Sequence, residues 1–146
     1  MIHALFPYLC VTDASRAIDY YVKVFGATEK FRLAEPGGKI GHAELEFGTT
    51  TIMLCEEYPE LNVISPERLE GTAMSIHLHV DNADELIARA LEAGATIETP
   101  VQDFFYGERG GVIRDPFGHR WNIGHSIEQV SPEQMQQRYT MSMEGS

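Results

Sequence analysis

Residues 106–125 read Tyr106-Gly-Glu-Arg-Gly-Gly-Val-Ile-Arg-Asp-Pro-Phe-Gly-His-Arg-Trp-Asn-Ile-Gly-His125. At the centre, Asp115-Pro116-Phe117-Gly118 has the chemistry of a type I turn. Asp suits its first position, Pro presets φ at the second, and Gly is favoured at the fourth. The β-type runs 110–114 and 120–123 flank the turn, so the stretch predicts a β-hairpin closing a small sheet. It decides the fold because the half of the chain that leads to it repeats the half before.

Residues 4–11 read as a strand, with Pro7 placing it at an edge or a strand start. Thr12-Asp13 offers a helix cap. Ala14, Ala17, Ile18, Tyr21 and Phe25 follow at helical spacing, and Gly26 stands where a terminating glycine belongs. Strands are expected over 28–33, 41–47 and 51–55, separated by Pro36-Gly37-Gly38 and Gly48-Thr49. Residues 56–72 hold two prolines and little periodicity and read as a linker. A strand over 73–80 then starts the pattern again. Asn82 with Glu85 suggests a capping box. Ala83, Leu86, Ile87, Ala90 and Leu91 repeat the helical face, and Gly94 closes it. Strands over 96–98, 110–114 and 120–123 complete the unit. Val11, Ala14 and Ile18 match Val80, Ala83 and Ile87 at a spacing of 69, and Phe25-Gly26-Ala27 matches Ala93-Gly94-Ala95 at 68. A repeat of this kind is one supersecondary unit used twice. The expected fold is α+β: two tandem βαβββ modules, about 4–56 and 73–126, joined by a linker over 57–72. Their curved mixed sheets leave a concave cup in a single domain. Ser131 and Pro132 suit the start of a helix in the segment 127–146, with the last eight residues as a frayed tail.

The 146 residues carry a formal charge of −11 and are 43% hydrophobic. That apolar fraction is enough for a core. So acidic a chain lacks the charge to grip nucleic-acid phosphates or an anionic membrane surface. No apolar run approaches the roughly 20 residues of a transmembrane helix, and the N-terminus has no secretory-signal pattern. Cys10 and Cys55, both in apolar strand-like runs, suit a reducing cytoplasm as free thiols.

The paired module, with Asp at the first helix cap and Asp-Pro-x-Gly before the last strand, resembles the vicinal oxygen chelate superfamily of glyoxalase I, bleomycin-resistance proteins and extradiol dioxygenases. The resemblance spans about residues 6–124. Tyr8-Leu-Cys-Val-Thr-Asp-Ala, Gly41-His-Ala-Glu-Leu, Ile52-Met-Leu, Ser65-Pro66, Leu78-His-Val, Phe105-Tyr-Gly-Glu-Arg and Asp115-Pro-Phe-Gly-His-Arg-Trp resemble its PhnB-like branch. No glycine-rich strand–turn–helix loop for a methyl-donor nucleotide accompanies them. The resemblance implies a metal held by His, Glu or Gln from the first and last strand of each module. The matching positions here are Phe6, Met53, Ser75 and Asn122, which offer almost no hard donors. A one-residue slip gives Pro7, Leu54, Ile76 and Ile123 and does no better. No metal and no cofactor are therefore expected.

Strand alternation sets Ser75, His77 and His79 on one face and His42, Glu44 and Glu46 on another, with their apolar neighbours toward the helices. His77, a second histidine and Glu44 converging in a cavity would make an acid–base or unorthodox metal site. Hydrogen-bonded polar residues lining a wet cup are the simpler reading. Phe104-Phe105-Tyr106 with Arg109 could stack on a planar ligand or bury alternate rings. Tyr8, Cys10 and Met53 would join the same wall, with Cys10 an inert thiol. His119 and His125 read as surface or packing residues and Trp121 as core.

Two functions of different class follow. One is a metal-free cup for a small organic ligand, built from Phe6, Tyr8, Glu44, Met53, Ser75, His77, His79, Phe105, Tyr106, Arg109 and Asn122. The other is a metal-dependent lyase, isomerase or dioxygenase-type enzyme using a non-standard His/Glu site. A fold kept for protein–protein contact is the third possibility. A homodimer is expected, because one module has open sheet edges and half a cup.

Overall fold

The structure is a computed structural model, and it describes residues 1–145. Its first module runs β1 (Tyr8–Cys10), α1 (Ala14–Phe25), β2 (Thr28–Ala34), β3 (Ile40–Phe47) and β4 (Thr50–Cys55). Its strand order is β1-β4-β3-β2, with β1 parallel to β4 and the other pairs antiparallel. A 3-10 turn at Pro59–Leu61 and a one-turn helix, α2 (Pro66–Leu69), follow. The second module is β5 (Ser75–His79), α3 (Ala83–Glu92), β6 (Thr96–Asp103), β7 (Glu108–Arg114) and β8 (Arg120–Ser126). Its order, β5-β8-β7-β6, and its strand directions copy the first. A last helix, α4, spans Pro132–Glu144. The expected α+β architecture of two mixed four-stranded sheets is present. Among the described residues no helix is long and apolar enough to cross a membrane.

Local chemistry accounts for the helices. Asp13 accepts the backbone N–H of Arg16 at 3.2 Å and starts α1, and Gly26 ends it at φ 72. Asn82 accepts from the Glu85 N–H at 3.1 Å and starts α3. That cap is one-way. The reciprocal capping box lies in α4, between Ser131 and Gln134.

Both central helices bury the predicted stripe: Ala14, Ala17, Ile18 and Tyr21 in α1, and Ala83, Leu86, Ile87 and Ala90 in α3. The helices also touch each other. Leu9, Leu45 and Leu54 of the first sheet thus share one core with Ile113, Trp121 and Ile123 of the second. Each such side chain contributes about 1.5–3 kcal/mol on burial. Trp121 bridges the halves, 4.8 Å from the Phe25 ring and stacked at 5.6 Å on Phe47.

The Asp115-Pro116-Phe117-Gly118 turn is the pin of this core. Asp115 is buried. Its Oδ1 accepts the N–H groups of Phe117 and His119 at 2.8 and 3.0 Å. Its Oδ2 accepts from the Tyr21 hydroxyl at 2.6 Å and from Trp121 Nε1 at 2.8 Å. Gly118 sits at φ 92, where a Cβ would meet Cβ of Pro66 at 2.8 Å, so only glycine serves there.

Several boundaries differ from the sequence reading. β1 covers only Tyr8–Cys10, because Pro7 has no N–H to extend the ladder, although its carbonyl still accepts from Met53. β6 runs on to Asp103 through Pro100, tolerated because β6 is an edge strand with register shifts. The linker is structured: Ser65 caps α2, and Glu57 holds both the Ser65 N–H and the Arg68 guanidinium. α4 stays helical to Glu144 where a frayed tail was expected. Ser146 of that tail lies outside the described residues.

Candidate functional site

Each sheet has one face against the helices and one face open. On the open face of the first sheet the register sets Tyr8 beside Met53 and Met53 beside Glu44. Cys10 and Cys55 are likewise direct partners. Phe31 and Leu33 on β2 pair with Glu44 and His42. Within this face the Tyr8 hydroxyl lies 2.6 Å from His42 Nδ1, and His42 Nε2 lies 2.9 Å from Glu44 Oε2. Lys30 Nζ stands 3.9 Å from Glu44 and 4.0 Å from Glu46. A cavity of about 470 Å³ adjoins Tyr8, walled by Leu9, Cys10, Cys55, Tyr58, Leu61 and Val63.

The open face of the second sheet carries a smaller, more polar hollow of about 50 Å³. His77 is the register partner of Asn122, and its Nε2 lies 3.7 Å from Glu108 Oε1. The Tyr106 ring stacks on Phe104 at 5.3 Å and forms the wall. Among the described residues Asn122 Oδ1 is the buried side-chain polar atom that lacks a hydrogen-bond partner. A buried acceptor left in that state is costly and points to something that donates to it.

Burial, more than neighbouring charge, shapes the ionisable groups of the first face. It lifts the Tyr8 phenol above its ordinary value, with Cys55 and Glu44 adding to the effect. It pushes the Cys10 thiol up to about 12, with smaller contributions from Cys55 and Glu57. Cys10 is therefore a poor nucleophile, as the sequence suggested. On the second face burial, then Glu108, raises the Tyr106 phenol.

The structure gathers some predicted residues and separates others. Tyr8, Glu44 and Met53 share one face, and His77, Tyr106 and Asn122 share the other. His77 does not converge with Glu44, which stands on the other sheet; its acidic neighbour is Glu108. Arg109 points to the helix side, where it is bound by Asp84 and Asp103 at 2.9 Å each, because residues alternate along β7 and Glu108 takes the open face. Phe105 turns toward α4, its ring 5.7 Å from Tyr139. His79 bonds Ser126 at 3.1 Å. Ser75 lies exposed opposite Arg120, and Phe6 is exposed ahead of β1.

His119 is buried, its Nε2 2.9 Å from the Cys10 carbonyl, and His125 Nδ1 accepts the Ala83 N–H that opens α3. Both are packing residues. His42 and Glu108 were missing from the predicted ligand set. His42 was legible from its i, i+2 spacing to Glu44. Glu108 was hidden in a Gly-Glu-Arg-Gly run that reads as a turn.

The metal site of the superfamily does not fit these residues. Of its four positions, Phe6 presents hydrocarbon and Met53 a thioether, leaving one hydroxyl and one carboxamide oxygen. Ser75 and Asn122 are not even register partners, since Ser75 faces Arg120 and Asn122 faces His77. Among the described residues no group of three or more His, Cys, Asp or Glu side chains could hold an ion.

A doubled βαβββ unit with this topology is the fold of the glyoxalase-like class of α+β proteins. The chain belongs to the Glyoxalase/Bleomycin resistance protein/Dioxygenase superfamily, whose family model matches residues 2–123. It is 43% identical over 136 residues to an uncharacterized protein of Mycobacterium bovis, covering 91% of this chain and 90% of that one. Among solved structures it resembles TioX from Micromonospora sp. ML1, at 29% identity and a TM-score of 0.65, over 88% of this chain and all of the other. The PhnB protein from Bacillus cereus, described as a putative 3-demethylubiquinone-9 3-methyltransferase, shares the fold at 18% identity and a TM-score of 0.66, over 85% of this chain and all of that chain.

Proposed function

We propose that the protein is a metal-free binder of a small organic molecule, of the PhnB-like kind, working as a homodimer in which a second copy completes each cup. One observation carries the reading: the helices of the two modules pack on each other, so each sheet keeps its other face open. The first open face presents Tyr8 on the edge strand β1 at 53% exposure, and Phe31 and Leu33 on β2, the opposite edge strand, at 42% and 60%. Phe6 and Met74, next to the two edge strands β1 and β5, are also exposed. Unpaired edges next to apolar side chains invite pairing. A half-cup with aromatic walls and a few polar groups becomes a ligand site once roofed.

The polar orienting groups are Glu44, His42 and Lys30 on one half, and His77, Glu108 and Asn122 on the other. Free thiols at Cys10 and Cys55 suit a reducing cytoplasm. The test is metal analysis of protein purified without chelator, together with a thermal-shift screen of small aromatic and amphipathic molecules. The expected result is substoichiometric metal and stabilisation by members of the screen. Near-stoichiometric Zn, Ni, Fe or Mn, or an activity lost to EDTA and restored by metal, would overturn it in favour of an enzyme with an unorthodox His/Glu site.

A further inference from the structure

β1 and β3 are not neighbours; β4 lies between them. Tyr8 nevertheless reaches across Met53 to bring its hydroxyl within 2.6 Å of His42 Nδ1. The proton positions in this chain follow from chemistry. Glu44 is an acceptor and lies 2.9 Å from His42 Nε2, so Nε2 carries the hydrogen. With the hydrogen on Nε2, Nδ1 is the acceptor and Tyr8 donates to it. The result is a carboxylate–imidazole–hydroxyl chain, the arrangement by which a base is oriented and its protonated form stabilised. Its members differ in access. His42 and Glu44 are 23% and 17% exposed, while Tyr8 is half exposed at the edge of the apolar cavity.

We propose that Tyr8, backed by His42 and Glu44, is an acid–base group that takes the proton of a phenolic hydroxyl on a ligand held in the cup. The inference rests on the reading of this face as a ligand cup. The ligand O–H bond breaks and its proton passes to the Tyr8 oxygen. The Tyr8 O–H bond breaks in the same movement, and that proton forms an N–H bond at His42 Nδ1. The products are a phenolate and an imidazolium, the latter held by Glu44. No oxidant, metal or second substrate is consumed.

A phenol fits for two reasons. The neighbouring cavity is lined by Leu9, Cys10, Cys55, Leu61 and Val63, which favour an aromatic ring over a sugar or a free acid. A ligand hydroxyl at least as acidic as Tyr8 also gives up its proton to the Tyr8 oxygen without an uphill first transfer, so the imidazole and its carboxylate complete the step. The other charged or titratable groups facing this site are Lys30 and Glu46, which flank Glu44, the thiols of Cys10 and Cys55 with Glu56 and Glu57 near them, and the cavity-wall phenol of Tyr58, which donates to Glu35 and lies under Lys39. Tyr8 is the catalytic residue of this scheme. His42 and Glu44 position and balance it.

The probe is 4-nitrophenol, whose phenolate absorbs where the phenol does not. A chain of net charge −11 would by itself raise the pKa of a bound phenol. A new imidazolium beside it lowers that pKa by about one pH unit or more. Spectrophotometric titration of the intact protein with saturating probe should show this fall in the wild type. The fall should be lost in Tyr8→Phe and His42→Gln and reduced in Glu44→Gln, each with an unchanged circular dichroism spectrum. Tyr8→Phe keeps the ring and loses one hydrogen bond to the probe, so it should bind more weakly yet saturably, which separates this inference from the cup reading. Binding without any fall in the wild type, or an equal fall in Tyr8→Phe, overturns the relay and leaves the cup. Absence of saturable binding overturns the relay for phenols and weakens the cup with it.

Discussion

The hydroxyl of Tyr21 donates a 2.6 Å hydrogen bond to Asp115 Oδ2 across 94 positions of sequence, joining the helix of the first module to the hairpin turn of the second. Around it Asp115 receives three further donors: Trp121 Nε1 and the N–H groups of Phe117 and His119. Burial, with Asp115 next, holds the Tyr21 phenol well above its ordinary value, so Tyr21 remains a donor at any physiological pH.

This joint predicts a stability order. Tyr21→Phe removes one donor and leaves Oδ2 with Trp121, at a cost of about 1–2 kcal/mol. Asp115→Ala strands four donors, at about 1–3 kcal/mol for each that finds no water, and is the worse substitution. Urea unfolding of both variants checks it, with Asp115→Ala showing the lower midpoint.

A second prediction concerns acid. The Arg68 guanidinium, then the Ser65 N–H, hold the Glu57 carboxyl down to about 2, well below the usual carboxylate range. The folded pKa is depressed, so the stabilisation is present above the unfolded pKa and is lost as pH falls through the folded one. Thermal unfolding of wild type and Glu57→Gln should differ most at neutral pH. The gap should close as the pH drops from about 4.5 toward 2. A gap independent of pH would contradict the pairing.

The thiols give a third prediction. Burial keeps Cys10 protonated, pushed up to about 12, and raises Cys55 as well. Since the thiolate is the reactive species, both should react with an aromatic disulfide reagent far more slowly at pH 8 than after unfolding in urea. Rapid labelling of native protein would show an open or activated thiol.

How much of this was legible in the sequence depends on what each residue reports. The doubled module was readable because Val11, Ala14 and Ile18 recur as Val80, Ala83 and Ile87, and burial of one helix face leaves that mark directly. The pin was half readable. Asp115-Pro116-Phe117-Gly118 announces a turn, but nothing local says that Tyr21 and Trp121 will donate to its carboxylate. Cup pairings were the least legible. Parity placed His77 and Glu44 on open faces, yet it cannot say that the two faces belong to different sheets of one chain. Arg109 was misplaced because its aromatic neighbours suggested a ligand, whereas register turns it to Asp84 and Asp103.

The proposed homodimer would close the open sheet faces with a second copy. Sedimentation equilibrium over a range of micromolar concentrations tests it most directly. The account predicts a mass near twice 16.4 kDa, and a value that stays at 16.4 kDa at the highest concentration would contradict it.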